Sequence, residues 1–140
     1  MKVVRKRYCR WGSRTKRNLR RATLSGGFLK RLIEAAPDSQ TWVAFSGTQV
    51  MGWLFIFSHQ GRNTANFFVN ERYRGKRVAG QLVGHALDTY PRIVVCQWEE
   101  VSRKFFRKLQ RQYPGRVTVL DWWKNYGRYE QFVRELSPAA

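Results

Sequence analysis

The residues with the most legible chemistry are those at 69–80, Val-Asn-Glu-Arg-Tyr-Arg-Gly-Lys-Arg-Val-Ala-Gly. Arg72, Arg74, Lys76 and Arg77 crowd around Gly75, and the apolar spacing of Val78, Leu82, Val83, Ala86 and Leu87 starts a helix immediately afterwards. A basic, glycine-containing loop feeding a helix presents unpaired backbone N–H groups and the positive end of the helix dipole to one point. Such an arrangement is a cradle for phosphate. Other reactive side chains are sparse. Glu99 and Glu100 precede the cations Arg103 and Lys104, with which they can pair, while His59 falls at the end of an apolar run and His85 in mid-helix. Cys96 lies among Ile93, Val94 and Val95 and reads as core.

Charge narrows the partner. Twenty-seven Lys and Arg stand against nine Asp and Glu, a net charge of +18. Such a chain attracts polyanions, so a nucleic acid or another acidic macromolecule is the expected partner. The ten cations between residues 2 and 21 have no acidic neighbour in that stretch. They read either as a solvated tail or as a polyanion contact surface, and Val3 and Val4 can start a strand there. The two Cys and two His have no metal-ligand spacing, so no metal site is expected. The longest apolar stretch, 53–57, is strand-sized, so no membrane span is expected, and a cytoplasmic location is the default.

The elements that must position the cradle follow from periodicity. With 140 residues, 43% of them hydrophobic, the chain has the size of a single domain, 1–140, with a very basic segment at 1–21. A helix is expected from residue 25 to Pro37, then strands at 41–45 and 50–57 joined by a hairpin turn at 46–49. A third β segment covers 64–69, completing a meander. A helix at 76–90, a buried strand at 92–97, a helix at 101–112 and a strand at 116–120 come next. Residues 129–133 fit strand or helix, since Tyr129, Phe132, Val133 and Leu136 also follow helical spacing.

The loop and its setting resemble those of the GNAT superfamily of acyl-CoA-dependent N-acetyltransferases. In that family the fourth strand ends in a Val and runs into a pyrophosphate loop of the form Val-x-x-x-Tyr-Arg-Gly-Lys-Gly-hydrophobic-Gly/Ala. Val69, Tyr73, Arg74, Gly75, Lys76, Val78 and Ala79 match it, and Arg77 departs from it by standing where the family has its first Gly. The element order is also similar across nearly the whole chain. The resemblance implies an α+β fold of three layers, with a mixed, mostly antiparallel sheet of six to seven strands and about four helices. It further implies that acetyl-CoA enters a splay between the fourth and fifth strands, its pantetheine along Phe67, Phe68 and Val69 and its pyrophosphate on Arg74, Gly75, Lys76, Arg77, Val78 and Ala79. Arg77 would crowd the pyrophosphate or add a charge to it.

The reaction so implied is attack of an amine on a thioester, assisted by a base and an acid. Glu99, Glu100 and His59 are the candidate bases. The family's acid is a Tyr in the helix after the fifth strand; this chain has Val101, Phe105 and Phe106 there, and Phe106 has no proton to give. Tyr73, Tyr113, Tyr126 and Tyr129 could replace it, each also readable as a packed aromatic. The expected function is N-acetyl transfer to an amine on or near an anionic macromolecule: a nucleic acid, an aminoacyl-tRNA or a nucleic-acid-associated protein. A polyamine acceptor is disfavoured by like charge. The alternative is an inactive protein of the same fold that grips nucleic acid or an acidic protein through its N-terminal and 103–111 basic faces. In a domain of another fold, Trp11, Trp122 and Trp123 would be base-stacking platforms, which leaves the 69–79 match unexplained.

Overall fold

The computed structural model describes residues 1–21, 36–97, 102–121, 134 and 136–138. Strand β1 (Lys2–Arg7) leads through a 3-10 turn (Tyr8–Arg10) to helix α1 (Ser13–Arg21). The meander β2 (Gln40–Ser46), β3 (Gln49–His59) and β4 (Arg62–Val69) follows, then a 3-10 turn (Glu71–Tyr73), α2 (Val78–Thr89), β5 (Ile93–Gln97), α3 (Arg103–Gln112), β6 (Val117–Asp121) and β7 (Leu136–Pro138). The sheet order is β1-β2-β3-β4-β5-β6, with β7 paired to β3. Pairing is antiparallel from β1 to β4 and for β7, and parallel for β4 with β5 and β5 with β6. The fold is therefore the expected α+β class with a mixed sheet. Three helices lie among the described residues.

Strand β3 is apolar almost throughout because both of its faces are covered. Trp53, Phe55 and Phe57 pack with Tyr8, Trp11 and Leu19 on the α1 face, while Leu54 and Ile56 pack with Leu82, Val83 and Ala86 on the α2 face. Removing each such side chain from water contributes roughly 1.5–3 kcal/mol. A register shift opposite Ala44 and Phe45 returns Val50 to the Trp53 face and Met51 to the Leu54 face. Helix α2 ends at Thr89, two residues before Pro91, and Arg116 donates to the carbonyls of Leu87 (2.7 Å) and Pro91 (3.0 Å). A cation thus closes the negative end of the helix.

The basic N-terminal segment is not a solvated tail. Residues from Lys2 to Arg7 pair with β2 from Phe45 to Gln40, and Tyr8, Trp11 and Leu19 are buried. Its apolar residues are spaced to enter the core while its cations stay outside. Lys6 lies 4.9 Å from the Trp11 ring centre and Lys16 5.4 Å from that of Tyr8. Being buried, Trp11 is no base-stacking platform, and Trp122 and Trp123 lie outside the described residues. So do most of the helix expected from residue 25 and the segment 129–133. Leu136 is in a strand, not a helix. Among the described residues no helix is long and apolar enough to cross a membrane.

Candidate active site

The site begins where two parallel strands part. Among the described residues, strands β4 and β5 are in register only at Thr64 with Val94 and Ala65 with Val95. β4 then continues to Val69 beside β3, and β5 continues to Gln97 beside β6. The bond from Asn70 N–H to the Met51 carbonyl (2.8 Å) fixes the alternation along β4. Even-numbered residues bond to β3, so Ala65, Phe67 and Val69 turn their N–H and C=O groups toward β5. Beyond Ala65 these groups face the opening. The Val69 carbonyl accepts a bond from Arg74 Nε (3.2 Å). Of the three, Phe67 is the backbone most directly presented to an extended amide-bearing ligand.

The loop at the mouth of this opening is built on two left-handed residues. Gly75 has φ +77° and Arg77 has φ +62°. Glycine takes that conformation freely, whereas a side chain there costs about 1–2 kcal/mol. The family's glycine at the Arg77 position thus has a backbone reason, and this chain accepts the strain with an arginine. These two residues also explain why α2 starts at Val78 and not at residue 76. Arg77 is the N-cap without a side-chain capping bond, and no acidic residue stands in the first turn of α2. The leading N–H groups of the helix therefore point outward beside open space at Gly75 and Gly80. Arg72, Arg74, Lys76 and Arg77 are exposed around them.

One contributor has no chemistry of its own. A Cβ on Gly52 would lie 2.7 Å from the Phe68 carbonyl oxygen and 3.4 Å from a Val78 methyl. Its absence lets the end of β4 and the start of α2 press onto β3. The signal was a lone glycine inside a strand pattern, which marks close approach of another backbone.

The remaining candidates are scattered. His59 is buried at the far end of β3, paired with Arg62 at the start of β4. Seven residues of strand, roughly 23 Å, separate Arg62 from Val69, so the structure does not bring His59 to this site. Glu99, Glu100, Val101, Tyr126 and Tyr129 lie outside the described residues. Tyr113 packs its hydroxyl against α2, 3.2 Å from where a Gly84 side chain would begin. Tyr73 is buried and donates to Gln49 Oε1 (2.6 Å). Phe106 is buried and forms a ring cluster with Phe67 (5.6 Å) and Phe105 (5.5 Å). His85 is exposed and Cys96 is core. The exposed Cys9 gives its S–H to Asp38 (3.0 Å), which holds its pKa above the usual thiol value.

The parallel strands β4 and β5 part beside the uncapped start of α2, leaving an open cleft with backbone donors at its mouth. Residues 8–110 match the model of the acetyltransferase (GNAT) family, and the chain belongs to that family. A search of curated proteins finds no match.

Proposed function

We propose that this protein transfers an acetyl group from acetyl-CoA to an amine carried on, or held close to, an anionic macromolecule. The observation that carries the first half is the coincidence at one strand end of the β4–β5 parting with the uncapped N-terminus of α2. The residues present fit CoA. Phe67 offers backbone donors and acceptors for pantetheine, and the segment from Arg74 to Ala79 offers N–H groups and cations for pyrophosphate. CoA supplies an activated acyl thioester when bound. The chain's part is to hold that ligand extended, to align the amine with it and to accept the amine proton. Glu99 and Glu100, two and three residues beyond the end of β5, are the proposed bases. With Phe106 in an aromatic cluster, thiolate protonation falls to another group or to water.

The charge of +18 supports the second half, since one cofactor does not need it. The test is calorimetric titration of nucleic-acid-free protein with acetyl-CoA, with ATP as a control for unspecific polyanion attraction. Saturable binding well above ATP is expected. Equal or absent binding would retire the transferase and leave an inactive nucleic-acid or acidic-protein binder, a reading that the loss of the usual tyrosine at Phe106 favours.

A further inference from the structure

On the opposite side of the β4 end from α2 lies a groove of about 550 Å³ walled by α1, the β2–β3 turn and the 3-10 turn after β4. Arg14 and Arg17, one turn apart on α1, face Arg72 across it, and Asn18, Gln49 and Asn70 supply the neutral polar lining. Among the described residues no carboxylate lines it. Three guanidiniums sharing one groove without a counter-charge repel one another until an anion enters. The walls are fixed in place. Tyr73 ties the 3-10 turn to the β2–β3 turn through Gln49, the Asn70 side chain accepts the Arg72 N–H (3.3 Å), and Leu19 anchors α1 in the core. The site is thus a rigid frame carrying charge, not a set of unconnected surface cations.

We infer that this groove binds the phosphodiester backbone of a single-stranded nucleic acid. Guanidinium forks match phosphate oxygens bidentately, and the amide side chains beside them can bond sugar hydroxyls or base edges. Asn70, Arg72 and Tyr73 belong both to the groove and to the turn that follows β4, so a strand held here lies next to the parting of β4 and β5. That the strand brings the acceptor amine rests on the transferase reading; the binding itself does not.

The test is fluorescence anisotropy of the full-length, nucleic-acid-free protein with a labelled oligouridylate over a salt series. Arg14→Gln/Arg17→Gln is expected to weaken binding at least about tenfold and to flatten the slope of log K against log salt by about 1.4, two phosphates' worth for a single strand. The same variant retains the wild-type affinity for acetyl-CoA. Arg107→Gln/Arg111→Gln, on the other face, is expected to cost less than about threefold. An unchanged slope in the α1 variant, or equal losses in both, would overturn the groove in favour of diffuse attraction. Tighter binding of polyglutamate than of oligouridylate at equal charge would overturn the nucleic acid in favour of an acidic protein. Gly75→Glu separates this inference from the transferase. It should lose acetyl-CoA and keep oligouridylate, and a wild-type protein that binds oligouridylate in this manner but never acetyl-CoA would sink the transferase alone.

Discussion

Helices α2 and α3 occupy equivalent places. Each follows a parallel strand, and each packs on the same face of the sheet, yet their sequences share almost nothing. α2, Val-Ala-Gly-Gln-Leu-Val-Gly-His-Ala-Leu-Asp-Thr, has no Lys or Arg and buries six of its residues. α3, Arg-Lys-Phe-Phe-Arg-Lys-Leu-Gln-Arg-Gln, has five cations and buries only Phe106 and Leu109. α2 therefore offers positive potential through its backbone, fixed in direction and confined to its first turn. α3 offers it through mobile side chains that act at range and are screened by salt. Recognition of one phosphate group belongs to the first kind, general attraction of polyanions to the second.

Four variants test that contrast. Gly75→Glu has the largest expected effect. It forces a side chain into φ +77° and brings a carboxylate to the phosphate cradle, so acetyl-CoA affinity should fall roughly 100-fold in calorimetry at any ionic strength. A salt-curable loss would mean that α2 acts like α3. Gly52→Val comes next. Its Cβ meets the Phe68 carbonyl, so the fold should lose about 1–3 kcal/mol in urea unfolding and acetyl-CoA affinity should drop with it. Retained affinity would show that the cradle does not depend on where β4 ends.

Arg77→Gly works in the other direction. Relief of left-handed strain exceeds the added chain entropy, giving a gain of up to about 1 kcal/mol and a Tm higher by about 2–4 °C, with acetyl-CoA binding preserved or improved. Loss of binding would show that the Arg77 side chain, not the backbone, holds phosphate. The smallest effect is expected from Arg103→Gln/Arg107→Gln/Arg111→Gln. Acetyl-CoA affinity should fall only about two- to threefold at low ionic strength and match wild type at high salt. A salt-independent loss would give α3 a direct contact.

Most of the described elements were legible in the sequence: α2 buries a face that helical spacing defines, while β3 and β5, covered on both faces, read as continuous apolar runs. The loop at 69–80 stood out because glycine and cations precede a helical pattern. Three things were hidden. The order of residues 2–21 was masked by their charge, although Tyr8, Trp11 and Leu19 are the residues that fasten them. His59 could be placed at a strand end, but not at which end of the sheet, because that depends on which strand pairs with which. The role of Gly52 and the left-handed backbone of Arg77 depend on contacts and dihedrals that side-chain patterns do not encode.

The pairing of β7 with β3 bears on how the protein is made. Phe57 in the middle of the chain meets Pro138, and Ser58 meets Ser137. This part of the central strand gains its β7 partner only after residues 136–138 leave the ribosome, some eighty positions later. Loop closure over that distance is slow compared with forming the β2–β3–β4 meander. During synthesis the 57–59 end of β3 therefore waits with one border open until residues 136–138 emerge, an unpaired strand edge of the kind that chaperones cover.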